Sequence, residues 1–524
     1  MEQTRWYKRR WVALGFLSFS LLVIALDNTV LNLAMPTIST KLGSTLSGMQ
    51  WIVDAYVLVF AALLLTMGSI GDRIGRKRTL QAGLIVFGCF SLGAALSRST
   101  GMLIAMRAIM GIGGAMIMPS TLSILTATFR DPKERGQAIA LWAAVFALGL
   151  GIGPLVGGWL LAHFSWSSVF YINLPIVVVA LIGGYIFLHD SRDEHPSKID
   201  LPGSVLSIAG LFALVYGIIE AGQSSWTAHN VLYAFGAAAV LLGAFAYWEW
   251  RSPNAVLPIA FFKNMSFTGA NIALTLVAFA LMGSMFFMGQ YLQTVQGYTP
   301  LKTGVLMLPF AFTSFAAAAM SARVAQRIGT KFTVALGILI SAAGLFYLSR
   351  VVEVNTSYPT ILLGMVIMSL GIGSTMSPAT NSIMGSIPVR KAGVGSAMND
   401  TTRQVGAALG VAVLGALMNS VYISKINAMK DTFSSTPQVF ELIRSSIQRA
   451  HFVAQNMIPD PQLSQMIVNK ADEAFVSGMV RGTLIASIVM AVASVVTLII
   501  LPSRVRPAKE EDHAPGIPDS SKVE

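Results

Sequence analysis

A chain of 524 residues that is 54% hydrophobic and 11% charged, with a mean hydropathy of +0.67, is too apolar for the soluble classes and is expected to be an all-α polytopic membrane protein. Its net charge of +12 would suit a nucleic-acid partner, but the distribution excludes one: Lys and Arg gather in alternate loops, at 5–10, 73–78, 130–135, 323–331, 390–391 and 504–509, while the loops between carry mostly single cations such as Lys41, Arg98, Lys302 and Arg350. By the positive-inside rule the basic loops and both termini are cytoplasmic, so the number of spans is even.

A bilayer core takes roughly 20 apolar residues per helix, and about fourteen such stretches follow one another: 11–35, 51–70, 79–97, 102–126, 136–163, 168–188, 202–221, 230–249, 267–292, 301–323, 331–350, 357–384, 392–422 and 476–501. The first follows a basic start like that of a signal peptide, but it is too long and lacks a small-x-small cleavage site, so it is expected to be retained. The first six helices (1–188) make one bundle. A polar linker from His189, two helices and a following Pro-bearing loop fill 189–266. A second six-helix bundle occupies 267–501, including a long polar loop at 424–475 on the outer side, within which Ile443 to Val453 is expected to lie as an amphipathic helix on the surface. The tail at 502–524 reads as disordered. The single cysteine, Cys89, rules out an intrachain disulfide and a cysteine metal site.

The two bundles are copies. Gly68 to Leu80 reads Gly-Ser-Ile-Gly-Asp-Arg-Ile-Gly-Arg-Lys-Arg-Thr-Leu, and its pattern returns at Gln326 to Thr333, with Gly83 answered by Gly337. One displacement carries Gly136, Gly149, Gly153 and Gly158 onto Gly393, Gly406, Gly410 and Gly415, and Pro119 is answered by Pro378. Six helices recur as six, with two inserted between them. Parallel repeats of this kind belong to rocking transporters whose site lies between the halves.

Charges inside the spans are the candidate site, since each costs from about 3 to above 10 kcal/mol at mid-membrane and has to face a partner or a water-filled interior. Asp27 lies about 24 Å along an outward-running helix at 1.5 Å per residue. Asp54 and Arg107 lie near the start of inward-running ones, so all three share a depth. One cation cannot neutralise two carboxylates, and a desolvated carboxylate takes up a proton more readily. This is the arrangement a proton-for-cation exchange requires. Asp27 is the expected coupling residue; a fixed Asp27–Arg107 pair is the alternative. Asp54 is the expected contact for a cationic substrate, or else sits in the wet interface. Asp400 and Arg403, at (i, i+3), form an inner gate or relay, or else a static pair. Trp51, Tyr56, Trp142, Phe146, Phe286, Phe287, Tyr291 and Met307 are candidates to line an apolar cavity and stack on cations.

Several stretches carry a family resemblance. Gly68 to Leu80 matches G-x-x-x-D-R-x-G-R-K-x-x-L, the first signature of the major facilitator superfamily. Leu26 to Pro36 resembles L-D-x-T-I-V-N-x-A-L-P, Gln50 to Tyr56 places an aspartate after W-I-V, and Gly149 to Gly158 is similar to the antiporter signature G-x-x-x-G-P-x-x-G-G. With Gly393 to Gly406 they resemble the fourteen-helix drug:proton antiporters of QacA/EmrB type. Departures are Met110 in place of the glutamine of R-x-x-Q-G, Ser165-Trp166-Ser167 in place of W-R-W, and Asn381 where many relatives have an acid.

The resemblance implies a proton-coupled exporter of lipophilic, often cationic compounds in the inner membrane, monomeric and driven by the proton gradient without a cofactor or metal, with a periplasmic adaptor as a candidate partner. Asp27 and Arg107 would couple protons; Asp54, Trp51, Tyr56, Phe146, Phe286 and Tyr291 would meet substrate. Conformational change would use Gly68, Asp72, Arg73, Gly75, Arg76, Gly149, Gly153, Pro154, Gly157, Gly158, Asp400 and Arg403. Asp72, held by Arg76, would latch the N-terminal end of a second-half helix. The competing expectation is a dedicated exporter of one endogenous lipid, peptide or pigment. A membrane enzyme is disfavoured by scattered histidines and the absence of H-E-x-x-H or G-x-S-x-G, and phosphate-cradling sequences are missing.

Overall fold

The computed structural model describes residues 9–129, 131–192, 200–252, 259–387, 392–433 and 436–503. In lipid a segment has to close its own backbone hydrogen bonds, and the described residues are helices and turns with no strand. The first half contains α1 (Arg10–Leu42), α2 (Leu46–Ile74), α3 (Arg76–Ala95), α4 (Thr100–Thr128), α5 (Pro132–His163) and α6 (Ser168–Phe187). Next come α7 (Leu201–Gln223) and α8 (His229–Arg251), then α9 (Met265–Gln290), α10 (Pro300–Ile328), α11 (Thr330–Val351), α12 (Tyr358–Gly385) and α13 (Ala392–Ile426). The chain ends in α14 (Pro437–Ser445), α15 (Ile447–Asn456) and α16 (Pro461–Ile500). Thirteen of these are long and apolar enough to span a bilayer. With α5, uncharged from Gly136 to His163, they make the fourteen expected.

The internal copy is visible in the packing. α2 packs on α4 as α10 does on α12, and α1 on α5 as α9 does on α13. Both α2–α3 and α10–α11 turn through a left-handed glycine, Gly75 (φ 123°) and Gly329 (φ 90°), a conformation open to glycine without a Cβ penalty. A Cβ on Gly83 would lie 2.9 Å from the Gly113 carbonyl, and one on Gly337 2.9 Å from the Gly371 carbonyl, so both copies need glycine for the same backbone approach. The copies meet along two seams, α2 with α13 and α5 with α10. α7 leans on α2 and α13, stacking Phe212 on Trp51 at 5.8 Å and accepting Asn419 Nδ2 at the Gly222 carbonyl (3.2 Å), while α8 packs on α7.

The second half departs from expectation at 424–475, which is folded rather than a loop. α13 runs to Ile426, a 3₁₀ turn spans Asn427–Phe433, and α16 begins at Pro461, capped by Asp460, which accepts the Gln462 N–H at 2.9 Å. The single amphipathic helix expected over Ile443 to Val453 is two, broken at extended Ser446 (φ −171°, ψ 158°). Its apolar residues Ile443, Ile447, Ala450 and Val453 are buried in the protein. α15 forms a cap across the end of the molecule opposite the basic turns. Arg449 Nη1 donates to the Gly43 carbonyl between α1 and α2 (2.6 Å), and Gln448 Nε2 donates to Gln290 Oε1 on α9 (2.9 Å). On the same side Gln293 Nε2 donates to the Leu33 carbonyl (2.9 Å), a direct tie between halves. Most of the expected linker at 189–200, and the tail from 504, lie outside the described residues.

Candidate functional site

Five helices of the first half converge on Arg107 of α4, which is 1% exposed. One guanidinium nitrogen pairs with Asp27 Oδ2, Nε donates to the Ile52 carbonyl at 3.1 Å, and the plane lies over the Tyr56 ring at 4.2 Å. The other carboxylate oxygen, Asp27 Oδ1, accepts Asn173 Nδ2 from α6 (3.3 Å), which also donates to Ser91 Oγ of α3 (3.1 Å). Gly111 lets α4 approach this closely, since a Cβ there would lie 2.6 Å from the Tyr56 carbonyl. The pair is compensated in charge and bonded on both carboxylate oxygens, and Asp27 is 2% exposed. The expectation that Asp27 faces a watered path is not met in this arrangement, which is the fixed-pair alternative; Tyr56 is buried beneath the cation rather than lining a cavity.

Asp54 is the opposite case. It is fully buried, and neither carboxylate oxygen has a hydrogen-bond partner among the described residues. Ile52 and Tyr56, one turn apart, face Arg107; Asp54 lies about 200° round the helix from Ile52 at 100° per residue. It shares a stripe with Gln50 and Ala61, and that stripe meets the second half. Gln50 Nε2 donates to the carbonyls of Val411 (3.1 Å) and Ala412 (3.3 Å), and Thr401 Oγ1 donates to the Ala61 carbonyl (3.4 Å), all from α13. Asp54 therefore sits on the seam between the copies, whereas Asp27 sits inside one of them.

Closer to the basic side, Arg403 Nη2 pairs with Asp400 Oδ1 at 3.1 Å along α13, as their spacing predicts. The guanidinium carbon also lies 5.7 Å from the centroid of the Phe146 ring on α5, so this contact crosses between halves. The remaining expected aromatics are placed elsewhere. Trp51 stacks under α7, Phe286 is buried edge-on against Phe287 (4.9 Å), and Tyr291 braces the end of α9 by donating to the Glu353 carbonyl (2.7 Å). Trp142 Nε1 donates to Thr121 Oγ1 (3.2 Å), and Met307 is buried. No group of three or more His, Cys, Asp and Glu side chains able to hold a metal occurs among the described residues.

The family model for the major facilitator superfamily matches residues 17–411. This chain belongs to that superfamily. It is 36% identical to the multidrug efflux pump LfrA of Mycolicibacterium smegmatis over 94% of this chain and 97% of that protein. To the methyl viologen resistance protein SmvA of Salmonella typhimurium it is 33% identical, over 89% and 93%. The fold matches a bacterial homologue of the human lysosomal transporter Spinster, solved in an inward-facing, unoccupied conformation, with a TM-score of 0.62 at 16% identity, over 94% of this chain and 98% of that one.

The glycines of the remaining signatures in this facilitator lie at close helix contacts. On α5, Gly149, Gly153 and Gly157 form one face against α1, at Ala25, Thr29 and Val30. The other face meets α10: a Cβ on Gly158 would lie 2.6 Å from the Pro300 carbonyl, and the Pro154 carbonyl closes on Gly304. At the basic turn Asp72 Oδ1 accepts Arg76 Nε at 2.7 Å, and Gly68 packs on Pro119, while Arg73 is exposed. Gly75 tucks against the Asp190 carboxylate, which lies 2.6 Å from where its Cβ would be. The contact described for Asp72 is thus with Arg76 of its own turn, and the latch expected between Asp72 and a second-half helix end is not among the described contacts. Gln50 was missed from sequence, although a buried amide one turn from an intramembrane acid was the available signal.

Proposed function

We propose that this chain exports lipophilic, cationic compounds across the cytoplasmic membrane in exchange for protons, alternating access between two six-helix halves at 1–188 and 267–501. The observation that carries this reading is Asp54, a buried carboxylate on the seam between the halves that has no hydrogen-bond or ion-pair partner among the described residues. A carboxylate so placed is costly in low dielectric unless a proton or an incoming cation compensates it, and the two compensations exclude each other. Asp27 and Arg107 then serve as a brace of the first half, and Asp54 takes the coupling role expected of Asp27. The names of relatives support the cargo: SmvA is named for methyl viologen, a flat organic dication, and LfrA for multidrug efflux. In this reading the basic turns and both termini face the cytoplasm, α15 faces outward, the protein acts as a monomer, and the proton gradient supplies the energy.

The test is ethidium transport in everted vesicles with and without an imposed pH gradient. Gradient-dependent uptake that collapses with a protonophore is the expected result. Uptake indifferent to the gradient removes proton coupling.

A further inference from the structure

The Asp400–Arg403–Phe146 cluster differs from the sealed pair at Asp27. The Arg403 and Asp400 side chains retain 21% and 12% exposure, against 1% for both members of the Asp27–Arg107 pair. The guanidinium of Arg403 has a carboxylate on one side at 3.1 Å and an aromatic ring on another at 5.7 Å. A carboxylate and a π-face are the two elements that recognise a desolvated organic cation. The ring and the carboxylate come from opposite halves, so whatever positive group lies between them joins α5 to α13. Thr275 Oγ1 on α9 donates to the Thr402 carbonyl (3.3 Å) and Thr402 Oγ1 donates to Asn271 Oδ1 (2.9 Å), so α13 is tied to α9 beside Arg403 by bonds that do not involve its guanidinium.

We propose that Arg403 is a built-in stand-in for the substrate: a lipophilic monovalent cation takes its place on Phe146 and Asp400, and the displaced guanidinium turns toward water. One carboxylate compensates one positive charge in this environment, so arginine and cargo exclude each other. The inference rests on the cation-export reading and adds the place where the cargo is received. It also makes the α5–α13 contact depend on which cation is present.

The two side chains that receive the cation and the one that competes with it are expected to act in opposite directions. The measurement is equilibrium binding of tetraphenylphosphonium to the purified full-length protein in lipid nanodiscs, with no gradient. Asp400→Asn and Phe146→Ala weaken binding about tenfold, the effect of losing an ion pair or a cation–π contact. Arg403→Gln tightens it about tenfold, and Arg403→Lys leaves it near the unsubstituted value. Binding to Arg403→Gln that is unchanged or weaker overturns the proposal, because a static pair predicts no competitor. If that variant is not recovered folded, Phe146→Trp decides. Tetraphenylphosphonium has to change the emission of the introduced indole saturably, and adding Asp400→Asn has to abolish the change; an unaltered spectrum overturns the proposal. Vesicles that transport no cation sink the export reading, whereas intact transport with an unmoved Arg403→Gln affinity sinks this inference alone.

Discussion

Asp54 and Asp27 are both buried aspartates in neighbouring helices, yet substitution is expected to separate them. Asp54→Asn replaces an acid that has no partner among the described residues with a neutral isostere, so thermal unfolding in detergent stays within a few degrees of the parent. Gradient-driven ethidium transport falls to background; transport retained at the parental rate removes Asp54 from the coupling step. Arg107→Ala strips the counter-charge from a buried carboxylate, a loss of about 3–5 kcal/mol. A lowered unfolding temperature with loss of expressed protein is expected, and Asp27→Asn in the same chain restores part of it. Arg107→Ala with an unchanged unfolding temperature shows that the pair is not a brace. All three residues were legible in sequence as charges out of place in lipid. Their pairing was not, because it depends on how each helix is rotated about its axis. The 200° between Ile52 and Asp54 follows from the helical period and puts them on different faces; that one face meets Arg107 and the other α13 is fixed by packing alone.

At the level of elements, α5 is a two-faced helix: three glycines seat it on α1, and Pro154 and Gly158 seat it on α10. Gly158→Leu would drive a side chain into the Pro300 backbone, so ethidium transport is expected to fall at least tenfold, since small residues set the approach of membrane helices. Gly243→Leu on α8, where a Cβ meets nothing within 4 Å, is the matched control and leaves transport unchanged. Equal effects of the two would mean that α5 and α10 do not need to close. The glycine spacing announced a contact helix without saying which neighbour each face meets. The start of α16 was also within reach of the sequence: Asp460 followed by Pro461 is an N-cap with proline at the first helical position. The polar residues after it hid the signal, because the first turns of this 40-residue helix stand clear of the apolar run.

Across the whole molecule, the cap and the two seams decide whether the halves can part. Ser39 Oγ on α1 lies 3.5 Å from Ser446 Oγ at the break between α14 and α15. Oxidising a Ser39→Cys, Ser446→Cys double variant, with Cys89→Ser to remove the native thiol, is expected to arrest transport, and reduction to restore it. Full activity in the oxidised form would show that the cap does not move during the cycle. The repeat, the helix count and the inserted pair were all readable from spacing and hydropathy. That the segment at 424–475 folds back over the α1–α2 turn was not, since nothing in its composition names Gly43 and Gln290 as its seats.

The position of α7 makes the two seams unequal. It stands like a fence post beside the α2–α13 line, with α8 behind it, while the α5–α10 line on the far flank has no inserted helix beside it. Seen from outside, one seam stands behind two helices and the other is a single joint between α5 and α10. The two flanks are therefore unequal, an asymmetry that neither of the duplicated halves carries alone.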